Sequence, residues 1–186
     1  VIRCGETTVL VTAVSQREPK DLPFLPLTVE YREYNAAAGK IPGGYFKREG
    51  RPTEHEILTC RLMDRPTRPL LPKAWRYETQ LIALVLSTDK QNPSDVLAML
   101  GTSTAMHISD IPFAAPYAAV RIGKVDGAFV INPTFAQQEN SEINIVMACS
   151  RDAIVMVEGS ARGASESTII DGLYWGHEQA QILLDL

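Results

Sequence analysis

Apolar residues first gather in Thr8-Val9-Leu10-Val11-Thr12-Ala13-Val14, a strand-like run with only the turn-like Gly5-Glu6 close before it. Between Phe24 and Tyr34, Leu25, Leu27, Val29 and Tyr31 alternate with Pro26, Thr28, Glu30 and Arg32, the period of two of a half-buried strand. From Ala36 to Gly44 the residues are small and rich in breakers, which predicts a mobile surface loop delivering Tyr45-Phe46-Lys47-Arg48. A helix should follow, because Pro52, Thr53 and Glu56 form a capping-box signature. Ile57, Leu58 and Leu62 are expected on its buried face, and Pro66 should limit its length.

The run Leu81-Ile82-Ala83-Leu84-Val85 within Thr79 to Leu86 predicts a strand covered on both faces. Asn92-Pro93-Ser94 reads as a turn and helix start, and Asp95 to about Ile108 as a mostly apolar helix central to the core. Strands are then expected at Ala118 to Ile122, Gly127 to Ile131, Ile143 to Cys149 and Ala153 to Val157, with Gly123 to Gly127 a hairpin turn. A last helix begins near Ser165 and runs to the end, with Ile169, Ile170, Leu173, Ile182 and Leu183 apolar. Strands with helices interspersed, without strict βαβ alternation, indicate an α+β fold. No internal repeat, low-complexity tract or linker interrupts the pattern.

Composition narrows the class. With 186 residues, 45% hydrophobic and 22% charged, the chain can bury a sizeable core and is too apolar to be disordered, so one globular domain is the expectation. The early start of the first strand suggests that the true N-terminus is missing. No apolar run approaches the roughly 20 residues of a membrane helix and no signal-peptide layout is present, so a soluble cytoplasmic chain is expected. Cys4, Cys60 and Cys149 fit neither a disulfide framework nor a metal motif and read as reduced packing residues. A net charge of -4 argues against nucleic acid, but its distribution does not. Lys40 to Arg76 holds nine basic residues against four acidic ones, +5, which leaves -9 for the remainder.

The basic window carries the candidate chemistry. Arg61 and Arg65 are four apart on the expected helix and Arg68 follows Pro66, so three guanidiniums should converge near its end. Tyr45, Phe46, Lys47 and Arg48 lie close by in sequence, and cations beside aromatic rings suit the phosphates and unstacked bases of single-stranded nucleic acid. A solvated helix face paired with Glu49, Glu54, Glu56 and Asp64 fits the composition equally well. Ala38-Gly39-Lys40 is not a P-loop, since Ile41 stands where Ser or Thr is required. His55, His107 and His177 are isolated in sequence, which disfavours a metal site, and His177 reads as a helix-surface or interface residue. Met99 and Met106 read as core filler, and Ser165-Glu166-Ser167 as capping without a nucleophile elbow.

The segment from Ala38 to Pro52, continued by Arg61-Leu62-Met63-Asp64-Arg65-Pro66-Thr67-Arg68-Pro69-Leu70, closely resembles the first core domain of the polynucleotide phosphorylase family. Phe24 to Val29, Asn92-Pro93-Ser94-Asp95, Ile111-Pro112-Phe113 and Gly176-His177-Glu178-Gln179 extend the resemblance over essentially the whole chain. It implies an RNase PH-like fold, akin to ribosomal protein S5 domain 2, with a mixed sheet and packed helices. It further implies part of an enzyme that degrades RNA from its 3′ end with inorganic phosphate, releasing nucleoside diphosphates.

In the family the aromatic and basic loop at the channel neck falls on Tyr45, Phe46, Lys47 and Arg48, and a basic trio on Arg61, Arg65 and Arg68. Tyr45 and Lys47 depart from the more usual Phe and Arg. The family's catalytic half carries an aspartate and a lysine two residues apart, and the matching positions here are Asn144 and Val146. Its phosphate-binding turn is replaced by Lys90 to Asp95. The resemblance therefore implies no catalytic residue and no metal in this chain, with Mg²⁺ and phosphate bound by a second core. The implied partners are single-stranded RNA, that second core, two further copies in a trimeric ring, and components of an RNA degradosome. A non-catalytic scaffold subunit of an exosome-type ring is the alternative, and a free-standing RNase PH enzyme the third reading.

Overall fold

A computed structural model describes residues 1–43 and 49–186 of the chain. Strands β1 (Ile2–Cys4) and β2 (Thr7–Pro19) form a hairpin, and β4 (Tyr77–Ser87) pairs antiparallel to β2 and parallel to β3 (Leu27–Arg32), giving a mixed sheet ordered β1-β2-β4-β3. The second sheet, ordered β6-β5-β7-β8, is antiparallel: β5 (Ala118–Val125), β6 (Ala128–Ile131), β7 (Ile143–Cys149) and β8 (Ile154–Ala161). The helices are α1 (Glu54–Thr67), α2 (Ser94–His107), α3 (Phe135–Glu139) and α4 (Glu166–Leu184). Among the described residues no helix is long and apolar enough to cross a membrane.

Helix α2 lies between the sheets, and α4 covers the far face of the second one. One hydrophobic cluster joins Val9 and Ala83 of the first sheet through Met63, Ala98 and Met99 to Val146 and Ala148 of the second. The other face of β5 and β7, through Val120, Ile122, Ile145 and Met147, packs on Ala180 of α4. The strands covered on both faces are thus in the second sheet. In β4 only the Thr79, Leu81, Ala83 and Val85 face is buried, while Leu86 is 50% exposed, so the double burial expected there is corrected. A continuous apolar run is compatible with either outcome, because only the layer packed against it decides. Close approach needs small residues: a Cβ on Gly101 of α2 would lie 2.6 Å from Val11 Cγ2 of β2, and one on Gly176 of α4 would strike Ile122.

Helix α1 forms where its cap signature predicts. Thr53 Oγ1 accepts from Glu56 N at 3.2 Å and the Glu56 carboxylate accepts from Thr53 N at 2.6 Å. Its buried face differs from expectation. Ile57 and Leu58 are about half exposed, while Thr59, Met63 and Thr67 form the inner line at steps of four. The two threonines can be buried because each donates to the carbonyl four residues back, Thr59 to His55 at 2.9 Å and Thr67 to Met63 at 2.8 Å. Nor does Pro66 stop the helix. It sits in the last turn, where its missing N–H costs one bond, and the C-cap donor, Arg68 N, still reaches Asp64 O.

The pattern also passed over β1, the short α3 with its Thr134 and Gln137 capping box, and a single 3₁₀ turn at Asn35–Ala38 inside the expected loop. Three residues or one turn are too few to show a period. Met99 and Met106 are fully buried, but of the cysteines only Cys149 is; Cys60 is half-buried and Cys4 exposed, which corrects the packing role expected of Cys4.

Candidate functional site

A cleft of about 1130 Å³ opens between α1, the end of β3 with its 3₁₀ turn, the turn before α2, and the β5, β7 and β8 strands. Its wall is one side of α1, where Leu58, Thr59, Arg61, Leu62 and Arg65 line the opening while Met63 and Thr67 are turned into the core. Arg61 and Arg65 therefore meet in one place, as their spacing predicts. Arg65 forms an ion pair with Glu158 of β8 across the cleft, whereas Arg61 is in no ion pair with any described residue.

Arg68 does not join them. Its guanidinium turns to the other side of the helix end, pairs with Asp64 at 2.9 Å, and donates to the carbonyls of Leu25 at 3.2 Å and Leu27 at 3.4 Å. The expected convergence of three guanidiniums is corrected to two. Its backbone is still α-helical, with its N–H on the Asp64 carbonyl, so it is these side-chain partners that draw the guanidinium away from the cleft. Tyr45, Phe46, Lys47 and Arg48 lie outside the described residues.

The floor is polar. Arg121 of β5 donates to Asp95, on the first turn of α2, and to Asn144 Oδ1 of β7. The side chains of Asp95 and Arg121 are 5% and 11% exposed. Val146 lies beside Asn144 on the same wall of the cleft. Gly159, on β8 opposite Ile145, lets the two strands close here: a Cβ there would stand 2.6 Å from the Asn144 carbonyl oxygen.

At the rim, Glu33 collects donors. Tyr31 Oη donates to it, Ser94 Oγ donates at 3.0 Å, and His55 Nε2 stands 3.3 Å away. Burial alone would raise the Glu33 carboxyl, but donation from His55, Tyr31 and Ser94 outweighs it and holds the group below the usual carboxylate range. The same hydrogen bond raises His55, against the opposing effect of its own burial. The Glu33 backbone N–H is bound by Glu56 Oε1 at 2.9 Å, which ties the α1 cap to the end of β3.

The turn before α2 is anchored by Asp89. Its carboxylate accepts from the N–H groups of Gln91 and Asn92 at 2.8 Å each and from Thr7 Oγ1 at 3.0 Å. These bonds, with the Asn92 backbone foremost, hold the group far below the usual carboxylate range. Lys90, between them, has φ +59° and lines the cleft.

Of the residues in the cleft, sequence reasoning reached Arg61, Arg65, Asn144, Val146 and the Lys90 to Asp95 turn. It missed Glu33, Tyr34, Arg121, Phe135 and Glu158, and took His55 as isolated, because each partner is distant in the chain. The one local signal was Arg121, a charged residue within the apolar run from Ala118 to Ile122. His177, on α4, is not among the residues that line the cleft, and its ring Nε2 is 3.1 Å from the Ser150 carbonyl oxygen.

Two stacked sheets with a cleft at the start of the helix between them define a class, and comparison with known proteins supplies it. Residues 1–112 match the 3′ exoribonuclease family, domain 1, and residues 115–179 match domain 2 of the same family. The chain belongs to that RNase PH family. Its fold superposes on rice (Oryza sativa) Rrp46 with a TM-score of 0.77 at 14% identity, over 97% of this chain and 82% of that one.

Within the family the resemblance to polynucleotide phosphorylase holds across the chain. Polyribonucleotide nucleotidyltransferase of Sorangium cellulosum is 58% identical over 186 residues, all of this chain and 25% of that protein. The enzymes of that name from Nitratidesulfovibrio vulgaris and Geobacter sulfurreducens are 56% and 52% identical, over 99% and 100% of this chain and 24% and 27% of theirs. The chain thus spans about a quarter of the length of these relatives.

Proposed function

We propose that this chain is the RNA-holding part of a phosphate-dependent 3′-to-5′ exoribonuclease that degrades RNA to nucleoside diphosphates, and that the chemistry is carried elsewhere in the longer protein. The observation that supports this reading is the pairing at the cleft floor. A guanidinium, Arg121, occupies Asp95 and Asn144, where a hard divalent cation would require uncommitted oxygen ligands. The residues present do not fit Mg²⁺, and Val146 offers nothing to stabilise a developing negative charge.

The wall above that floor suits binding. Arg61 and Arg65 face the same opening, and guanidiniums meet phosphates bidentately. In this reading single-stranded RNA is the cleft's partner, with Tyr45, Phe46, Lys47 and Arg48 stacking and holding it nearby. Magnesium and inorganic phosphate are bound by a second core, and three copies form a ring.

The test is the release of nucleoside diphosphate from homopolymeric RNA by the full-length protein. Arg61→Ala with Arg65→Ala should raise KM and flatten the salt dependence by about 0.7 in log–log slope per lost phosphate contact. The rate at saturating RNA should be retained. Loss of that rate with KM unchanged would overturn the division between holding and cutting.

A further inference from the structure

The charges of the cleft cancel in pairs, and what remains is informative. Its acidic residues are Glu33, Asp95 and Glu158, and each has a cation: His55, Arg121 and Arg65. His55 is held toward its charged form by Glu33. Two cations of the cleft, Arg61 and Lys90, are in no ion pair with any described residue. A cleft that neutralises its own carboxylates and leaves two positive charges over is built for an anion.

Two aromatic rings share the same space. Tyr34 and Phe135 both line the cleft and are 39% and 47% exposed. Neither belongs to a frayed segment. Phe135 opens α3 behind a complete capping box, and its N–H donates to the Gln91 carbonyl at 3.0 Å, directly beside Lys90. One face of Tyr34 is covered by the Arg32 guanidinium at 5.7 Å from the ring centroid, which leaves the other for a planar ligand. Exposed rings held by hydrogen bonds in a cationic cleft are platforms for nucleobases.

Lys90 is held where it is at a cost. A lysine at φ +59° adopts the left-handed region that residues with a Cβ avoid, and the Asp89 carboxylate enforces it through Gln91 and Asn92. At the adjoining start of α2, Pro93 stands at the N-cap without a side-chain acceptor. Beneath, Arg121 Nε is buried with no partner.

We propose that this cleft is a nucleoside-phosphate site, the phosphate held by Lys90 and Arg61 and the base by the rings of Tyr34 and Phe135. The ligand is either a nucleotide of a bound RNA or a free nucleoside diphosphate, which share this chemistry. The proposal rests on the reading of the cleft as a ribonucleotide surface, and it assigns the inner cleft a ligand of its own rather than a relic of lost catalysis.

Hydrogen–deuterium exchange on the full-length protein tests it, because protection is read segment by segment and nucleotide bound in another core does not interfere. Adding ADP or a short oligo(A) should slow exchange in residues 88–97 and 132–139. Lys90→Gln with Phe135→Ala should remove that protection, with about a tenfold or greater loss of ADP or oligo(A) affinity at this site.

Protection by ADP alone identifies a free nucleotide as the ligand, and protection by oligo(A) alone an RNA-borne one. Protection by neither, or protection that survives the double substitution, overturns the site. Slowed exchange in residues 54–67 with oligo(A), and none in 88–97 or 132–139 with either probe, would leave the RNA-holding reading standing without the site. No oligo(A) effect in 54–67 would count against the RNA reading, and the ADP arm would then decide the site independently.

Discussion

Asp95 at the first turn of α2 and Arg121 in the middle of β5 form an ion pair that is almost wholly buried, with side chains 5% and 11% exposed. Residues 26 positions apart in the chain thereby lock the central helix to the second sheet. Removing one member leaves the other charged and desolvated, so Arg121→Met should cost about 3–5 kcal/mol of stability. The double variant Arg121→Met with Asp95→Asn should recover part of it. Urea denaturation of the four proteins of this cycle checks the coupling, and additive losses would refute it.

Glu158 competes for Arg65. Their ion pair is exposed, and such pairs contribute about 0–1 kcal/mol, so a phosphate could displace the carboxylate at little cost. Glu158→Gln should raise RNA affinity by up to about fivefold at low salt. The gain should vanish in an Arg65→Ala background. Fluorescence anisotropy with labelled oligo(A) measures both.

The Glu33–His55 pair predicts a pH window. His55 is raised from its ordinary 6.5, so its contribution to stability is complete below that value and is lost as pH rises through the folded-state pKa. Glu33 is lowered from 4.5, so its contribution is complete above 4.5 and is lost as pH falls through its depressed value. The pair should stabilise most between about pH 4.5 and 6.5. Wild type and His55→Gln should therefore differ most in melting temperature within that window and converge toward pH 9. A pH-independent difference would argue against the ion pair.

Gly176 allows α4 to lie on β5, since any Cβ there meets the Ile122 side chain, which is fully buried. Gly176→Val should destabilise by about 1–3 kcal/mol through overpacking. Ile122→Ala in the same chain should return part of that loss, as the space it vacates faces the new side chain. Thermal melts of the single and double variants decide it.

Much of this architecture was legible in the chain. The caps at Thr53 and Ser165, the alternation before Tyr34, and the bounds of β7 all follow from local rules, because capping and strand period involve residues a few positions apart. Arg61 and Arg65 share a face for the same reason. Arg68 does not join them, because its guanidinium is taken up by Asp64 and by the carbonyls of Leu25 and Leu27, partners that helical spacing does not reveal.

The sequence by itself determined the succession of elements, their capping, the placement of a positive window at Lys40 to Arg76 and, through its motifs, the family. Only the tertiary structure decided which faces are buried. Thr59, Met63 and Thr67 displace Ile57 and Leu58 from the core because α1 is pressed against β3 and α2, and hydroxyls bonded to their own helix can be buried there. The tertiary structure also decided the pairing of charges. Whether an arginine is committed, as Arg121 is to Asp95, or is in no ion pair with any described residue, as Arg61 is, depends on carboxylates brought from other strands and helices. Those contacts come from chain closure over dozens of residues, which no local period encodes.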